Sequence, residues 1–314
     1  MGKYVIQRVL QMFVIIWIAG FIVFTLMYMM PGDPAKILLG NDATESTILA
    51  KRAELGLDAS YVEQLASFMY HAFVRFDFGY SWSYGVPVMQ ELLVRLPRTL
   101  FIGVSAMVLN VLLGTWLGVF AATHRGKWQD SLTMVIAMVF ISVPDFWLAL
   151  MCVLFFSINL GWLPAYGIDG PLSYVLPILS SAVAGIAINA RQGRSSMLEV
   201  IHADFISTAR AKGQKESVIV RKHMLPNAMM PIITGVGGGL AMVVAGSPIM
   251  ESVFSIPGVG AYLLVGINLR DRPIVLACVV FFAVFTSVAI LLMDLCYAFL
   301  DPRIKAQYAA KKVG

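Results

Sequence analysis

VLQMFVIIWIAGFIVFTLMYMMPG, residues 9–32, contains no Asp, Glu, Lys or Arg. As an α-helix it reaches about 36 Å at 1.5 Å per residue, more than the roughly 30 Å of a bilayer's hydrocarbon core. Lys3 and Arg8 precede it, so the start of the chain looks like a secretory signal. The apolar run is too long for one, and no small-residue cleavage site closes it. The expectation is an uncleaved first span. Myristoylation is excluded because Ile6 stands where Ser or Thr is required.

Working outward, the 314 residues are 59% hydrophobic and 13% charged, with a mean hydropathy of +0.80. That is too apolar for an ordinary water-soluble domain. Further stretches long enough to cross a bilayer occur at 99–123, 131–160, 172–190, 228–250 and 274–300. Unsatisfied backbone groups in hydrocarbon cost on the order of several kcal/mol each, and the alternation expected of a lipid-facing barrel strand is absent. The expected class is therefore an all-α membrane protein with six transmembrane helices.

The net charge of +5 suits either nucleic acid or anionic headgroups, and its distribution decides. With both termini in the cytoplasm, that side receives Lys3, Arg8, Arg125, Lys127, seven basic residues from Arg191 to Lys222, and Arg303, Lys305, Lys311 and Lys312. These are 15 of the 23 Lys and Arg residues. Arg95 and Arg98, next to the second span, dissent mildly. The partner implied is a lipid bilayer, with no nucleic acid. Residues 1–98 then comprise the first span and an extracytoplasmic amphipathic segment. Residues 99–303 form a five-helix core with a cytoplasmic loop at 191–227, and 304–314 a basic tail.

Cys152, Cys278 and Cys296 sit in apolar stretches without metal or redox spacing and read as packing residues. His71, His124, His202 and His223 fall in separate segments without ligand spacing, so no metal site is expected. The other outer segments, 161–171 and 251–273, are rich in Gly and Pro and read as turns or short re-entrant pieces.

The loop RQGRSSMLEVIHADFISTARAKGQKESVIVRKHMLPN, residues 191–227, carries the functional signal. Before Gly213 lie good helix formers with small residues at Ser207, Thr208, Ala209 and Ala211. Gly213 can take the positive φ that ends a helix. A second short helix is expected to reach Leu225, with Pro226 marking re-entry into the membrane. Small side chains at a tight corner flanked by Arg210, Lys212 and Lys215 suit insertion into a partner's groove. A solvated basic loop held by anionic lipid is the alternative.

Here the chain resembles the transmembrane subunits of bacterial binding-protein-dependent ABC importers, in the dipeptide, oligopeptide and nickel branch. That family's cytoplasmic pattern is Glu-Ala-Ala, three residues, Gly, nine residues, Ile, one residue, Leu-Pro. Ser207, Thr208, Ala209, Gly213, His223, Leu225 and Pro226 match its spacing, with Ser207 in place of the Glu and His223 in place of the Ile. Other landmarks occur in family order: PGDP at 31–34, LGLD at 55–58, FGYS at 78–81, LPRTL at 96–100, SVPDFW at 142–147, RSSMLEV at 194–200, ESVFSIPGVG at 251–260 and DPRIK at 301–305. The resemblance implies a type I importer transmembrane domain in the bacterial inner membrane. It makes 203–213 a coupling helix seated in a cleft of an ATPase subunit. It also implies a second homologous permease subunit in a heterodimer, two ATP-binding-cassette ATPase subunits and an extracytoplasmic substrate-binding protein. ATP and Mg would act on those partner subunits, with no cofactor on this chain, which has no GxxxxGK[ST] motif.

Asp145 and Asp294 are the acids inside the assigned spans, and such residues are functional candidates. Pro144 would open a kink beside Asp145, which reads either as pathway lining or as packing at a subunit interface. Asp294 reads as reaching water or capping a neighbour. Gly237, Gly238 and Gly239, within TGVGGGLAMVVAG, read as a close-packing face or a gate on the pathway. The resemblance places Glu251, Pro257 and Gly258 at the outer mouth.

A proton-coupled carrier is disfavoured by two unpaired acids and no repeat. An intramembrane enzyme lacks a metal motif, a Ser/His dyad in the spans or paired carboxylates, so no catalytic residue is assigned. The expected function is ATP-driven import of peptides, with a nickel chelate as the alternative cargo.

Overall fold

The computed structural model describes residues 2–40, 42–229 and 248–300, with side chains from residue 6 to residue 292. The expected span at 228–250 therefore lies mostly outside the described residues. So do Gly237, Gly238, Gly239 and the side chain of Asp294. Among the described residues the chain is helical throughout, with one isolated antiparallel bridge between Tyr80 and Pro87.

Among the described residues, four helices are long and apolar enough to cross a membrane, and a bent pair makes up to five. They are α1 (Gly2–Met29), α5 (Val88–Thr123), α8 (Val175–Val200, extended by a tight turn at Pro171–Tyr174), and α13 (Arg272–Leu300). The stretch expected as one span at 131–160 is instead α6 (Trp128–Ser142) and α7 (Asp145–Cys152, continued as a wide helical turn to Asn159), bent by 101°. The cause is local. Val143, before Pro144, is extended (φ −86°, ψ 128°), and the proline has no amide hydrogen to continue the ladder.

Short helices α2 (Pro34–Leu39), α3 (Glu45–Glu54) and α4 (Tyr61–Tyr70) follow α1. Asp33, Thr44 and Ser60 cap them, Ser60 in a reciprocal capping box with Glu63. After residue 247 come α11 (Pro248–Val253) and α12 (Val259–Leu269); α12 is about 16 Å long at 1.5 Å per residue, short of a bilayer.

The chain divides into two compact units. The first holds residues 1–99, 244–248 and 257–314. In it Val88 and Leu92 of α5 pack with Val259 and Tyr262 of α12 and with Ile274, Ala277 and Cys278 of α13. This is why α5 starts at Val88 and not at the expected residue 99. In its first turns Val88 and Leu92 point inward, Leu93 and Val94 are exposed, and a half-buried Glu91–Arg95 ion pair (2.7 Å) flanks the core with Arg95 4.5 Å from the ring centre of Tyr262. Asp271, fully buried, accepts hydrogen bonds from Ser81 Oγ (2.7 Å) and from the Ser83 amide (2.8 Å). It thereby ties the 80–87 turn to the start of α13.

The second unit holds residues 100–243 and 249–256. It has two apolar cores on the same pair of long helices. One gathers Ile102, Ala149, Leu176, Met250, Phe254 and Ile256. The other gathers Ala122, Met197, Ile206, Ala209, Ile219, Met224 and Ala228. Ile102 and Ala122 lie on α5, and Leu176 and Met197 on α8, so each helix carries both cores about 30 Å apart at 1.5 Å per residue. Between them α5 and α8 approach closely. A Cβ on Gly114 would meet Ile186 O at 2.9 Å, and one on Gly118 would meet Ala190 O at 2.7 Å. Asn110 and Asn189 hydrogen-bond across the same contact.

Candidate coupling site

The cytoplasmic loop expected from Arg191 begins as α8, which continues to Val200; Gly193, Ser196 and Met197 stay buried there and leave no reason for the helix to stop. Three residues later comes α9 (Asp204–Ala211), with Ala203 extended before it. Asp204 stands in its first turn, where the helix dipole favours a negative charge. Gly213 takes φ +70°, the left-handed conformation a β-carbon disfavours, and reverses the chain. α10 (Glu216–Val218) then widens into a turn over Ile219–Met224.

The helix does not end at Leu225 as expected. It runs through Pro226 to residue 229. The wide turn before it loosens the ladder that a proline ring would clash with, and Asn227 Nδ2 donates to His223 O (2.7 Å), satisfying a carbonyl of that turn.

α9 has two distinct faces. Ile206 and Ala209 are buried against Ala122 of α5, Met197 of α8, and Ile219, Met224 and Ala228 of the following helix. Asp204, Phe205, Ser207, Thr208 and Ala211 are exposed, followed by Lys212 and Gly213 at the corner. Ala209, expected on the small outward face, turns inward because it follows Ile206 by three positions, nearly one helical turn. Its place outside is taken by Phe205, a large apolar side chain left 46% exposed.

Polar contacts stiffen the corner. Arg210 Nη2 donates to Glu216 Oε1 (2.7 Å) and holds that carboxyl below the usual Glu range. His223 Nε2 donates to Gln214 Oε1 (2.9 Å), so the residue that replaces the expected Ile bridges the turn. Leu225 is half-buried and Pro226 exposed.

Two longer-range braces join this corner to the spans. Arg194 of α8 donates to both carboxylate oxygens of Asp130 at the start of α6, with Nη2 to Oδ2 at 2.8 Å, and the Gly126 amide adds a third bond (3.2 Å). Arg125 Nη1 donates to His202 Nε2 (3.0 Å) in the link before α9. Sequence reading found neither, since both pairs are remote in the chain. The α5–α8 contact had a signal that went unused: GTWLG, residues 114–118, is a small-xxx-small pattern on a span.

The other candidate residues fall elsewhere. Pro144 and Asp145 stand at the α6–α7 break. Asp145 is exposed beside exposed Phe146 and Trp147, with no hydrogen-bond or ion-pair partner among the described residues. Glu251 is buried in α11 of the second unit, its carbonyl accepting from the Ile256 amide (2.8 Å). In the first unit, Pro257 O accepts from Arg98 Nη1 (3.3 Å) and Gly258 caps α12.

Comparison with known proteins accords with this geometry. Residues 114–306 match the family described as binding-protein-dependent transport system inner membrane component, and residues 1–103 match its N-terminal family. Glutathione transport system permease proteins of Escherichia coli K12 and of Shigella dysenteriae serotype 1 are 37% identical over 305 residues, which is 97% of this chain and 99% of theirs. An inward-facing structure of a methionine ABC transporter shares the fold, with a TM-score of 0.54 at 20% identity over 68% of this chain and 97% of that one. The chain belongs to the inner-membrane permease components of binding-protein-dependent ABC importers.

Proposed function

We propose that the chain is the transmembrane, channel-forming subunit of an ATP-driven importer for di- and oligopeptides. In this reading six helices cross the bacterial inner membrane with both termini in the cytoplasm. A second, homologous permease subunit completes the channel, and an extracytoplasmic binding protein delivers the cargo. Two ATPase subunits hold ATP and Mg, and one of them docks on the exposed face of α9, through Ser207, Thr208, Ala211 and Lys212. Gly213, Leu225 and Pro226 shape the corner that presents it.

One observation carries the reading. α9 exposes one face while its other face is sealed into the cytoplasmic ends of α5 and α8. A helix attached in this way does not slide independently, so displacing α9 displaces the ends of two spans. ATPase subunits that bind differently in two states would shift the spans between outward- and inward-open arrangements.

The α6–α7 break supports a pathway role for Pro144 and Asp145. An exposed carboxylate with no partner among the described residues, set among apolar side chains, needs water or another subunit opposite it. Gly237, Gly238 and Gly239 are proposed for the same pathway and Glu251, Pro257 and Gly258 for the outer mouth. The peptide class is supported by relatives named for glutathione, itself a peptide.

The test is uptake into proteoliposomes holding this chain, its permease partner and the ATPase subunits, with binding protein outside and ATP inside. Labelled glutathione and short peptides should accumulate only with ATP and binding protein. Accumulation of a nickel chelate but no peptide would replace the cargo assignment. Uptake driven by a proton gradient without ATP would overturn the mechanism.

A further inference from the structure

A cleft of about 490 Å³ opens in the first unit, among Phe24 of α1, Gln64 and Phe68 of α4, Trp82, and Arg272 and Leu276 of α13. Its size is that of a small-ligand site. Arg272 is only 9% exposed. Its guanidinium lies 5.5, 5.8 and 5.3 Å from the ring centres of Phe24, Tyr28 and Trp82, and Nη1 donates to Gln64 Oε1 (2.7 Å).

Ring faces and one amide oxygen are what this cation has. No carboxylate lies within ion-pair distance of it among the described residues, and most of its five N–H groups have no acceptor there. The two acids lining the cleft are turned to their own backbone. Glu63 accepts from the Ser60 amide and hydroxyl (2.9 Å each), and Asp77 accepts from the Gly79 amide (2.8 Å). Asp271, next in sequence, is spent on Ser81 and Ser83. A buried guanidinium without a counter-charge is unfavourable unless an anion completes it.

Position says which anion. The apolar span of α1 ends at Met29 and that of α13 begins at Arg272, so the cleft lies at headgroup depth. A phospholipid whose headgroup sits at that depth would bring its phosphate to the guanidinium, whose planar fork suits phosphate oxygens.

We propose that the cleft binds the phosphate of one phospholipid headgroup on Arg272, a site for structural lipid separate from the substrate pathway. The test is native mass spectrometry of the purified complex after delipidation and titration with phosphatidylglycerol and phosphatidylethanolamine. The wild type should retain one phospholipid per chain under conditions that strip the rest. R272Q should lose it by about tenfold or more in affinity, matching loss of a charge-assisted contact. R272K keeps the charge but neither the planar fork nor the stack on the three rings, and should bind lipid more weakly than the wild type and more tightly than R272Q.

Equal retention by wild type and R272Q would overturn the proposal. So would displacement of the lipid by a short peptide. Should R272Q not assemble, the wild type alone still decides. The Trp82 fluorescence, obtained by difference from W82F, should be quenched by brominated phospholipid and saturate near one lipid per chain, and no quenching would contradict the site.

Discussion

Arg194 of α8 grips Asp130 of α6 with two parallel hydrogen bonds, 64 positions apart in the chain and one turn before the residues that seat α9. Asp130 is almost wholly buried, while Arg194 keeps about a third of its side chain in reach of water. The pair fixes the start of α6 to the C-terminal end of α8, the helix on which Met197 holds Ile206.

Removing one partner should therefore be felt strongly. R194Q leaves a buried carboxylate without its fork, and a loss of about 3 kcal/mol is expected, the lower end of the range for broken buried pairs because Arg194 is partly solvated. Thermal unfolding of the purified complex checks this. R194K, retaining charge without the fork, should fall between the two.

Ile206 and Thr208 separate stability from docking. Ile206 is fully buried, so I206A should destabilise by about 2–5 kcal/mol. Thr208 is exposed, and T208A should change stability by less than about 0.5 kcal/mol. Paired unfolding curves distinguish them, and a large effect of T208A would contradict the two-faced description of α9.

Gly118 and Gly213 resist substitution by Ala for different reasons. G118A places a carbon 2.7 Å from a backbone oxygen of α8, and since backbone cannot yield as a side-chain tip can, about 1–3 kcal/mol is expected. G213A meets open space, and its penalty, about 1–2 kcal/mol, comes from φ alone. G213N should recover much of the second loss, because Asn tolerates the left-handed region, whereas G118N should be worse than G118A.

The Arg210–Glu216 pair predicts a pH response. Its folded-state carboxyl titrates below the ordinary Glu value, so its contribution is present above that value and disappears as pH falls through the lower one. Hydrogen exchange of amides 212–216 should be unchanged between about pH 7 and 5, after correction for intrinsic rates, and faster in stronger acid. E216Q should show the faster exchange at neutral pH. Both groups are exposed, so the effect should stay under about 1 kcal/mol.

The apolar runs and the Gly213 corner were legible in the sequence because each rests on a local rule, lipid solvation for the spans and backbone sterics for the glycine. The six-span count and the orientation remain readings of charge and length, and the span at 228–250 lies mostly outside the described residues. The 101° break at Pro144 was legible as a kink but not in size, since its angle depends on what α7 packs against, notably Leu176 around Ala149. The continuation past Pro226 was misread because a proline was weighed against an ideal ladder, and the wide turn ahead of it changes that ladder. Asp130–Arg194, Arg125–His202 and the Asp271 cluster left no local trace. They join segments that only the fold brings together, and nothing in either partner's neighbourhood announces the other.

The central claim is that ATPase subunits seat on the outward face of α9. Its most direct measurement is co-purification of those subunits with the chain carrying T208R, alongside its thermal unfolding. The account predicts an unfolding midpoint close to that of the wild type, with the ATPase subunits lost or much reduced. A full complement of ATPase subunits on T208R would contradict it.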